Sequence, residues 1–241
     1  MTKVSVVVPT LNEEQLIGDL LQALYNQSIS PLEIIIVDSS TDKTALVAAS
    51  WRDRFQAKNC QLIILTAGLT KGIAFARQTG FQRATSPIIA STDCDCTPRK
   101  DWIEQIILFM TTHPDCAAVV GNQEFVDGPF IVRWLAKLQW YRWYFYITKT
   151  LLGFSLFYSN NGAVRADAFL QAGGFNTTKK SIHDLDDAEL GARLSRVGKI
   201  QFCPKMIVQS RFRWFNRSDR NTSTLSIRIN SLLKIAKEYH S

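Results

Sequence analysis

The feature that most constrains this chain is a regular alternation over roughly its first hundred residues. Val4-Ser5-Val6-Val7-Val8, Leu32-Glu33-Ile34-Ile35-Ile36-Val37, Gln61-Leu62-Ile63-Ile64-Leu65 and Ile88-Ile89-Ala90-Ser91-Thr92 are short apolar runs rich in β-branched residues. Between them lie segments of helical character. Leu16, Ile17, Leu20, Leu21 and Leu24 recur at helical spacing, and Ala45 to Phe55 and Gly72 to Ala84 also read as helices. Continuous apolar runs suit strands buried on both faces. Strand and helix alternating at this spacing imply a parallel sheet with right-handed crossovers. The expected fold class is α/β, with a Rossmann-like, mostly parallel central sheet flanked by helices.

Each run ends in polar residues, and in open sheets ligands sit outside the carboxyl ends of the strands. The first run ends at Pro9-Thr10-Leu11-Asn12-Glu13-Glu14 and the second at Asp38-Ser39-Ser40-Thr41-Asp42. The fourth ends at Asp93-Cys94-Asp95, and Pro98 stops the element. Two carboxylates one residue apart repel each other unless a cation joins them. Hard oxygen ligands suit Mg²⁺ or Mn²⁺, ions that usually also hold substrate phosphates. The pattern therefore points to a divalent metal carrying a nucleotide diphosphate, although Asp-x-Asp also occurs in solvated turns. Asp38 occupies a place suited to a ribose or base contact, and equally to an Asx-turn or helix cap. No Gly-x-Gly-x-x-Gly follows the first strand and no Walker A lysine motif is present, which argues against dinucleotide oxidoreductases and P-loop enzymes.

The 241 residues suit one large α/β domain or two small lobes, and 46% hydrophobic content is enough for a sizeable core. A net charge of +7 fits nucleic acid, an anionic membrane surface or an anionic substrate. Five cysteines, with no signal peptide before them, do not form a disulfide framework. Cys94 and Cys96 lack the further Cys or His that zinc requires nearby. Buried or free thiols in a reducing cytosol are the expectation.

Beyond Pro98 the texture changes. Trp102 to Met110 reads as a helix and Ala117 to Gly121 as a strand. Phe130 to Tyr158 is dense in Trp, Tyr and Phe, with Arg133, Lys137, Arg142 and Lys149 interleaved. The charges interrupt it too often for a membrane span. A helix lying in a membrane interface fits, as does a helix on the sheet with snorkelling cations. Single-stranded nucleic acid is a weaker match, because no RNA-binding motif accompanies the aromatics. Ser159 to Arg165 is a polar turn entering a short strand, and Ala168 to Ala172 a helical turn closed by Gly173-Gly174-Phe175. The segment from His183 to Glu189 holds four acids within seven residues and opens a helix through Arg196. Acids at a helix start oppose its dipole. Four exceed that need, and one is a candidate general base. Ile200 to Cys203 and Met206 to Val208 read as two short strands, and Leu225 to Tyr239 as a terminal helix. The loop between them carries Arg211, Arg213, Arg217 and Arg220, suited to clamping a diphosphate or touching anionic lipid.

Taken together, these pieces resemble glycosyltransferase family 2, the inverting GT-A nucleotide-sugar transferases. Four segments carry the resemblance: Val6 to Glu13, Ile35 to Asp42, Asp93-Cys94-Asp95, and Gly173-Gly174-Phe175 through Asp186-Asp187-Ala188-Glu189-Leu190. The run Lys71-Gly72 to Gly80 is similar to the helix before that family's metal strand. The resemblance implies a GT-A domain over 1–215, with a nucleotide-binding half to about 98 and an acceptor half from 99 containing an aromatic-basic helix 130–158. A helical tail follows over 216–241.

It also implies roles. Pro9, Thr10, Glu13 and Asp38 would surround the base and ribose, and Arg77 would shape that pocket. Asp93 and Asp95 would mark the metal and diphosphate site, with Asp95 the direct ligand of Mg²⁺ or Mn²⁺. Asp187 would be the catalytic base. Asn161, Gly162, Asp186, Arg211, Arg213 and Trp214 would lie near donor or acceptor. Partners would be a nucleotide-diphosphate sugar, a hydroxyl acceptor (lipid-linked or a cell-surface polysaccharide precursor) and an anionic membrane surface, with no nucleic acid. The location would be cytoplasmic or peripheral on the cytoplasmic face of a membrane. A nucleotidyltransferase and a non-catalytic nucleotide-sugar or nucleic-acid binder are the rival functions. Leu11 stands where many members have Tyr. Gln209 to Trp214 has one residue too many for the Gln-x-x-Arg-Trp motif of processive synthases, so processivity is not expected.

Overall fold

The computed structural model describes residues 2–68, 72–177, 185–210 and 222–240, with 222–229 as backbone alone. Strands β1 (Val4–Thr10), β2 (Glu33–Asp38), β3 (Gln61–Thr66) and β4 (Ile88–Thr92) are separated by α1 (Ile17–Tyr25), α2 (Thr44–Ala49), α3 (Arg52–Gln56) and α4 (Gly72–Arg83). The remainder supplies β5 (Cys96–Pro98), α5 (Trp102–Thr112), β6 (Cys116–Phe125), α6 (Phe130–Lys137), α7 (Trp140–Leu152) and β7 (Asn161–Arg165). It ends with α8 (Ala166–Gln171), α9 (Asp186–Val197), β8 (Lys199–Ser210) and α10 (Thr222–His240).

The strands form one sheet in the order β3-β2-β1-β4-β7-β6-β8-β5. β1 pairs in parallel with β2 and β4, and β2 with β3. β7 is antiparallel to both β4 and β6, β8 is parallel to β6, and β5 is antiparallel to β8. The sheet is thus parallel through β4 and mixed beyond it. Within β1, Val6 and Val8 join Leu20, Leu21, Leu24, Trp102 and Ile106 on one face. Val7 joins Phe81, Phe157, Leu190 and Phe202 on the other. Successive strand residues point to opposite faces, and both faces are covered, so the run is apolar throughout.

Two glycines let helices approach closely. A Cβ on Gly80 of α4 would lie 2.4 Å from Val7 Cγ1. One on Gly191 of α9 would lie 2.6 Å from the Ser155 carbonyl oxygen and 2.7 Å from the Phe157 nitrogen. Backbone cannot swing aside as a flexible side chain can. Gly191→Ala is therefore expected to destabilise the fold by about 1–3 kcal/mol through overpacking. Urea denaturation measures this, and an unchanged midpoint would contradict the contact.

Several sequence expectations need correction. The helix over 45–55 is two short helices, parted at Ser50-Trp51. The single aromatic-basic helix over 130–158 is α6 and α7, broken where Gln139 adopts a left-handed φ of 56°. Gly153, with φ of 80°, closes α7, and glycine tolerates that conformation at a helix end. Phe154, Ser155, Leu156 and Phe157 then run buried beneath α9. The two short strands after 199 are one twelve-residue β8, with an irregularity opposite Gly121 and Asn122. Cys96–Pro98 forms an edge strand, where a proline costs no ladder bond. The terminal helix α10 docks on α9. Arg196 donates to the carbonyls of Glu238 and Tyr239 at 2.8 and 2.7 Å, and Ile235 and Ala236 pack with Ala188 and Ala192.

Candidate active site

The carboxyl ends of β1, β2 and β4 converge on one edge of the sheet. The register sets Thr10 beside Asp38, and the Thr10 hydroxyl donates to Asp38 Oδ1 at 2.6 Å. The Ser40 hydroxyl donates to the same oxygen at 2.6 Å. Asp38 is buried, so one of its oxygens locks the first two strand ends together. The two loops that follow are also tied. The Thr41 N–H donates to Asn12 Oδ1 at 2.9 Å, and the Glu13 N–H donates to the Thr44 hydroxyl at 2.8 Å. Asn12 pays for this with a left-handed φ of 56°, which asparagine tolerates better than most residues.

These loops border a cleft of about 250 Å³ that Pro9, Thr10 and Glu13 share with Asp93 and Asp95. Leu11 and Ile73 give it apolar walls. Five residues expected around a nucleotide and its diphosphate thus line one concavity. Arg77 projects from α4 just behind it, next to the cleft-lining Ala76, and is buried.

Arg77 links the two acidic segments of the sequence. Its Nη2 lies 3.0 Å from Asp93 Oδ1, at the end of β4. Its Nη1 lies 3.3 Å from Asp187 Oδ1, at the start of α9. Burial works against the guanidinium's charge, but Asp187 and Asp93 outweigh it and raise its pKa. Asp187 also accepts the backbone N–H of Ser159 at Oδ2, 3.0 Å away, and the Ser159 hydroxyl at Oδ1. Burial is the largest influence on Asp187 and raises its pKa above the ordinary carboxylate value of 3.8, although Arg77 and the Ser159 donors pull it down. Its side chain keeps 24% exposure, so it remains open to a substrate. A carboxylate that is half-buried, oriented and above its ordinary pKa has the properties of a general base.

Ser159 was not anticipated as a site residue. It sits 28 residues from Asp187, at the end of the buried strap after α7. The only local signal was the polar turn it opens. Asp186 is buried, and its charge is close enough to help raise the pKa of Arg77. Asn161 is turned into the core. It accepts the Trp102 indole N–H at 2.8 Å and donates to the carbonyls of Asn122 and Met206 at 2.8 and 3.1 Å. It therefore joins α5, β6 and β8 beside the end of β4. A Cβ on Gly162 would lie 2.5 Å from the Tyr158 carbonyl oxygen, so close packing requires glycine there. Lys71, His183, Asp184, Arg211, Arg213 and Trp214 lie outside the described residues.

All five cysteines are buried and free. Burial raises the pKa of Cys94 and Cys96, which disfavours their thiolate forms. Asp93 already shares an oxygen with Arg77. Among the described residues no three His, Cys, Asp or Glu side chains converge. A hard cation at Asp95 would thus draw its other oxygens from phosphate and water, which is how Mg²⁺ commonly binds. The donor set fits such an ion.

A parallel first half, a mixed second half and a cleft at the strand ends make a GT-A fold. The first 349 residues of S. aureus TarS, in complex with UDP, superpose with a TM-score of 0.70 at 15% identity, over 99% of this chain and 65% of that one. Mannosyltransferase PcManGT from Pyrobaculum calidifontis, in complex with GDP-Man and Mn²⁺, gives 0.65 at 20% identity, over 98% and 73%. The chain belongs to glycosyl transferase family 2, whose family model matches residues 5–171. It is 27% identical over 221 residues to the probable glycosyltransferase YdaM of Bacillus subtilis, covering 86% of this chain and 50% of that protein. It is 26% identical over 188 residues to the glucosyl-dolichyl phosphate glucuronosyltransferase of Haloferax volcanii, covering 73% and 56%. The chain thus spans about half the length of the curated relatives it matches.

Proposed function

We propose that this chain catalyses inverting transfer of a sugar from a nucleotide-diphosphate sugar to an acceptor hydroxyl. The observation that carries the reading is Arg77, which holds Asp93 and Asp187 on either side of one guanidinium beside the cleft. Pro9, Thr10, Glu13 and Asp38 would bind the nucleoside, and Asp93 and Asp95 would face its diphosphate. Asp187 takes the proton of the acceptor hydroxyl. The freed oxygen attacks the anomeric carbon from the side opposite the diphosphate. The carbon–oxygen bond to the diphosphate breaks, and its electron pair leaves with the nucleotide. Ser159 keeps Asp187 aimed during the transfer, and Arg77 balances the charge of both acids. A divalent ion held by Asp95 would neutralise charge on the leaving diphosphate. Gly191 and the strap it packs on hold Ser159 in place.

The test is a panel of nucleotide sugars read by thermal shift, with and without Mn²⁺. Ligand at about 100 times its Kd adds about 2.7 kcal/mol to native stability, so a true donor gives a clear upward shift. Chelation should abolish that shift and restored Mn²⁺ should return it. Asp95→Ala should lose the shift even with Mn²⁺ present. A panel with no shift under any condition refutes donor binding.

A further inference from the structure

Helices α6 and α7 bury little of their own apolar surface. Ala136 is the buried residue of α6, and Phe145 and Leu152 are those of α7. Most large apolar side chains that the described fold leaves exposed fall between Phe130 and Leu151. Their positions are ordered. On α6, Phe130, Ile131 and Trp134 recur at helical spacing on the solvent side. On α7, Tyr141, Tyr144, Phe145 and Leu152 turn toward the protein. Trp143, Ile147 and Leu151, four residues apart, form an opposite row facing solvent. A water-facing helix surface is normally polar, so α7 is apolar on the wrong side for a helix ending in water. A contiguous exposed apolar patch marks an interaction surface.

Charge identifies the occupant. Arg133 and Lys137 flank the row on α6, four residues apart, and Arg142 and Lys149 flank the row on α7, seven apart. All four are exposed. The sequence from 128 to 158 contains no Asp or Glu. A second copy docking the same face would set cations against cations. Apolar rows with indole rings and flanking cations match the boundary of an anionic bilayer, where Trp sits at headgroup level and Lys and Arg meet lipid phosphates. Among the described residues no helix is long and apolar enough to cross a membrane, so the contact lies in the interface plane.

We propose that the outer face of α6 and α7 docks the protein on an anionic lipid bilayer, with Phe130, Trp134, Trp143, Ile147 and Leu151 inserted and Arg133, Lys137, Arg142 and Lys149 on the headgroups. The proposal stands independently of Asp187 chemistry. It also makes geometric sense of the strap. Leu152 to Phe157 leads from this face to Ser159, which holds Asp187. A bilayer here lies one short segment from the base.

The test is flotation of the intact chain with phosphatidylcholine vesicles, with and without about a quarter phosphatidylglycerol, at low and high salt. The chain should float with the anionic vesicles at low salt, and Trp emission should shift to the blue. Arg133→Glu/Lys137→Glu/Arg142→Glu should cut partition by about a hundredfold or more, whereas Lys100→Glu, on another surface, should not. Trp134→Ser/Trp143→Ser should weaken binding even if the charge variant fails to fold. Absence of binding by the wild-type chain overturns the proposal. So does equal, salt-independent binding to both vesicles. A dimer in light scattering that the tryptophan variant dissolves, with vesicles ignored, assigns the face to a second copy instead.

Discussion

Asp187→Asn is expected to lower turnover by about 10²- to 10⁴-fold, the usual contribution of a positioned proton acceptor. Donor affinity should change little, because Asp187 lies outside the cleft walls formed by Pro9, Thr10, Glu13, Asp93 and Asp95. Asparagine keeps the shape and can still accept the Ser159 N–H, but it cannot take a proton. The pH dependence gives a second readout. Because the pKa of Asp187 is raised above 3.8, chiefly by burial, activity should fall as pH drops through that raised value. Ser159→Ala removes a donor that lowers it, so the acidic limb should move further up. Stability separates chemistry from folding. A carboxyl whose folded pKa exceeds its unfolded one holds its proton more firmly in the native state. Its contribution is greatest below the unfolded pKa and is lost as pH rises through the folded one. Asp187→Asn also takes away one of the two carboxylates facing the buried Arg77, so turnover should be compared well below the melting temperatures of both proteins. Full turnover in Asp187→Asn would remove this residue from the role of base.

Arg77→Met is expected to be the most destabilising single change in the site. Removing one partner of a buried ion pair typically costs about 3–5 kcal/mol, because the other charge stays buried and uncompensated. Here two acids are left. Asp93 and Asp187 keep 31% and 24% side-chain exposure, so water screens part of the loss. Arg77 Nε has no hydrogen-bond partner among the described residues, and methionine would remove that cost. The expected loss is therefore about 2–3 kcal/mol, or roughly 4–12 °C in melting temperature for a chain of this size. Arg77→Met/Asp187→Asn should recover part of it, since one orphaned charge is gone. Melting curves of the two variants at neutral pH decide the matter. Equal melting of the double and single variants would show that losing Arg77 leaves no costly orphaned charge on Asp187.

Much of this architecture is legible in the sequence. The apolar runs at Val4, Ile34, Leu62 and Ile88 specify strands because β-branched residues buried on both faces have few other places to go. Polar residues at the run ends follow from the same geometry, which puts Thr10, Asp38 and Asp93 at or just past the ends of their strands. The failures have physical causes too. A left-handed residue such as Gln139 leaves no hydrophobic trace, so one helix was expected where two exist. The reversal of β7 against β4 and β6 depends on pairing partners far apart in the chain.

What the sequence by itself determined is therefore local and periodic: the strand–helix order, the free buried thiols, and the candidate acids at the ends of elements. Only the tertiary structure decided which of those groups meet. Arg77 meets Asp93 and also Asp187, 110 residues further along the chain, Ser159 holds Asp187, and Asn161 bonds Trp102 rather than facing the cleft. Periodicity reports which face a residue prefers. Contact between distant segments depends on sheet order and on glycines that let two backbones touch, and neither is encoded in any short window of sequence.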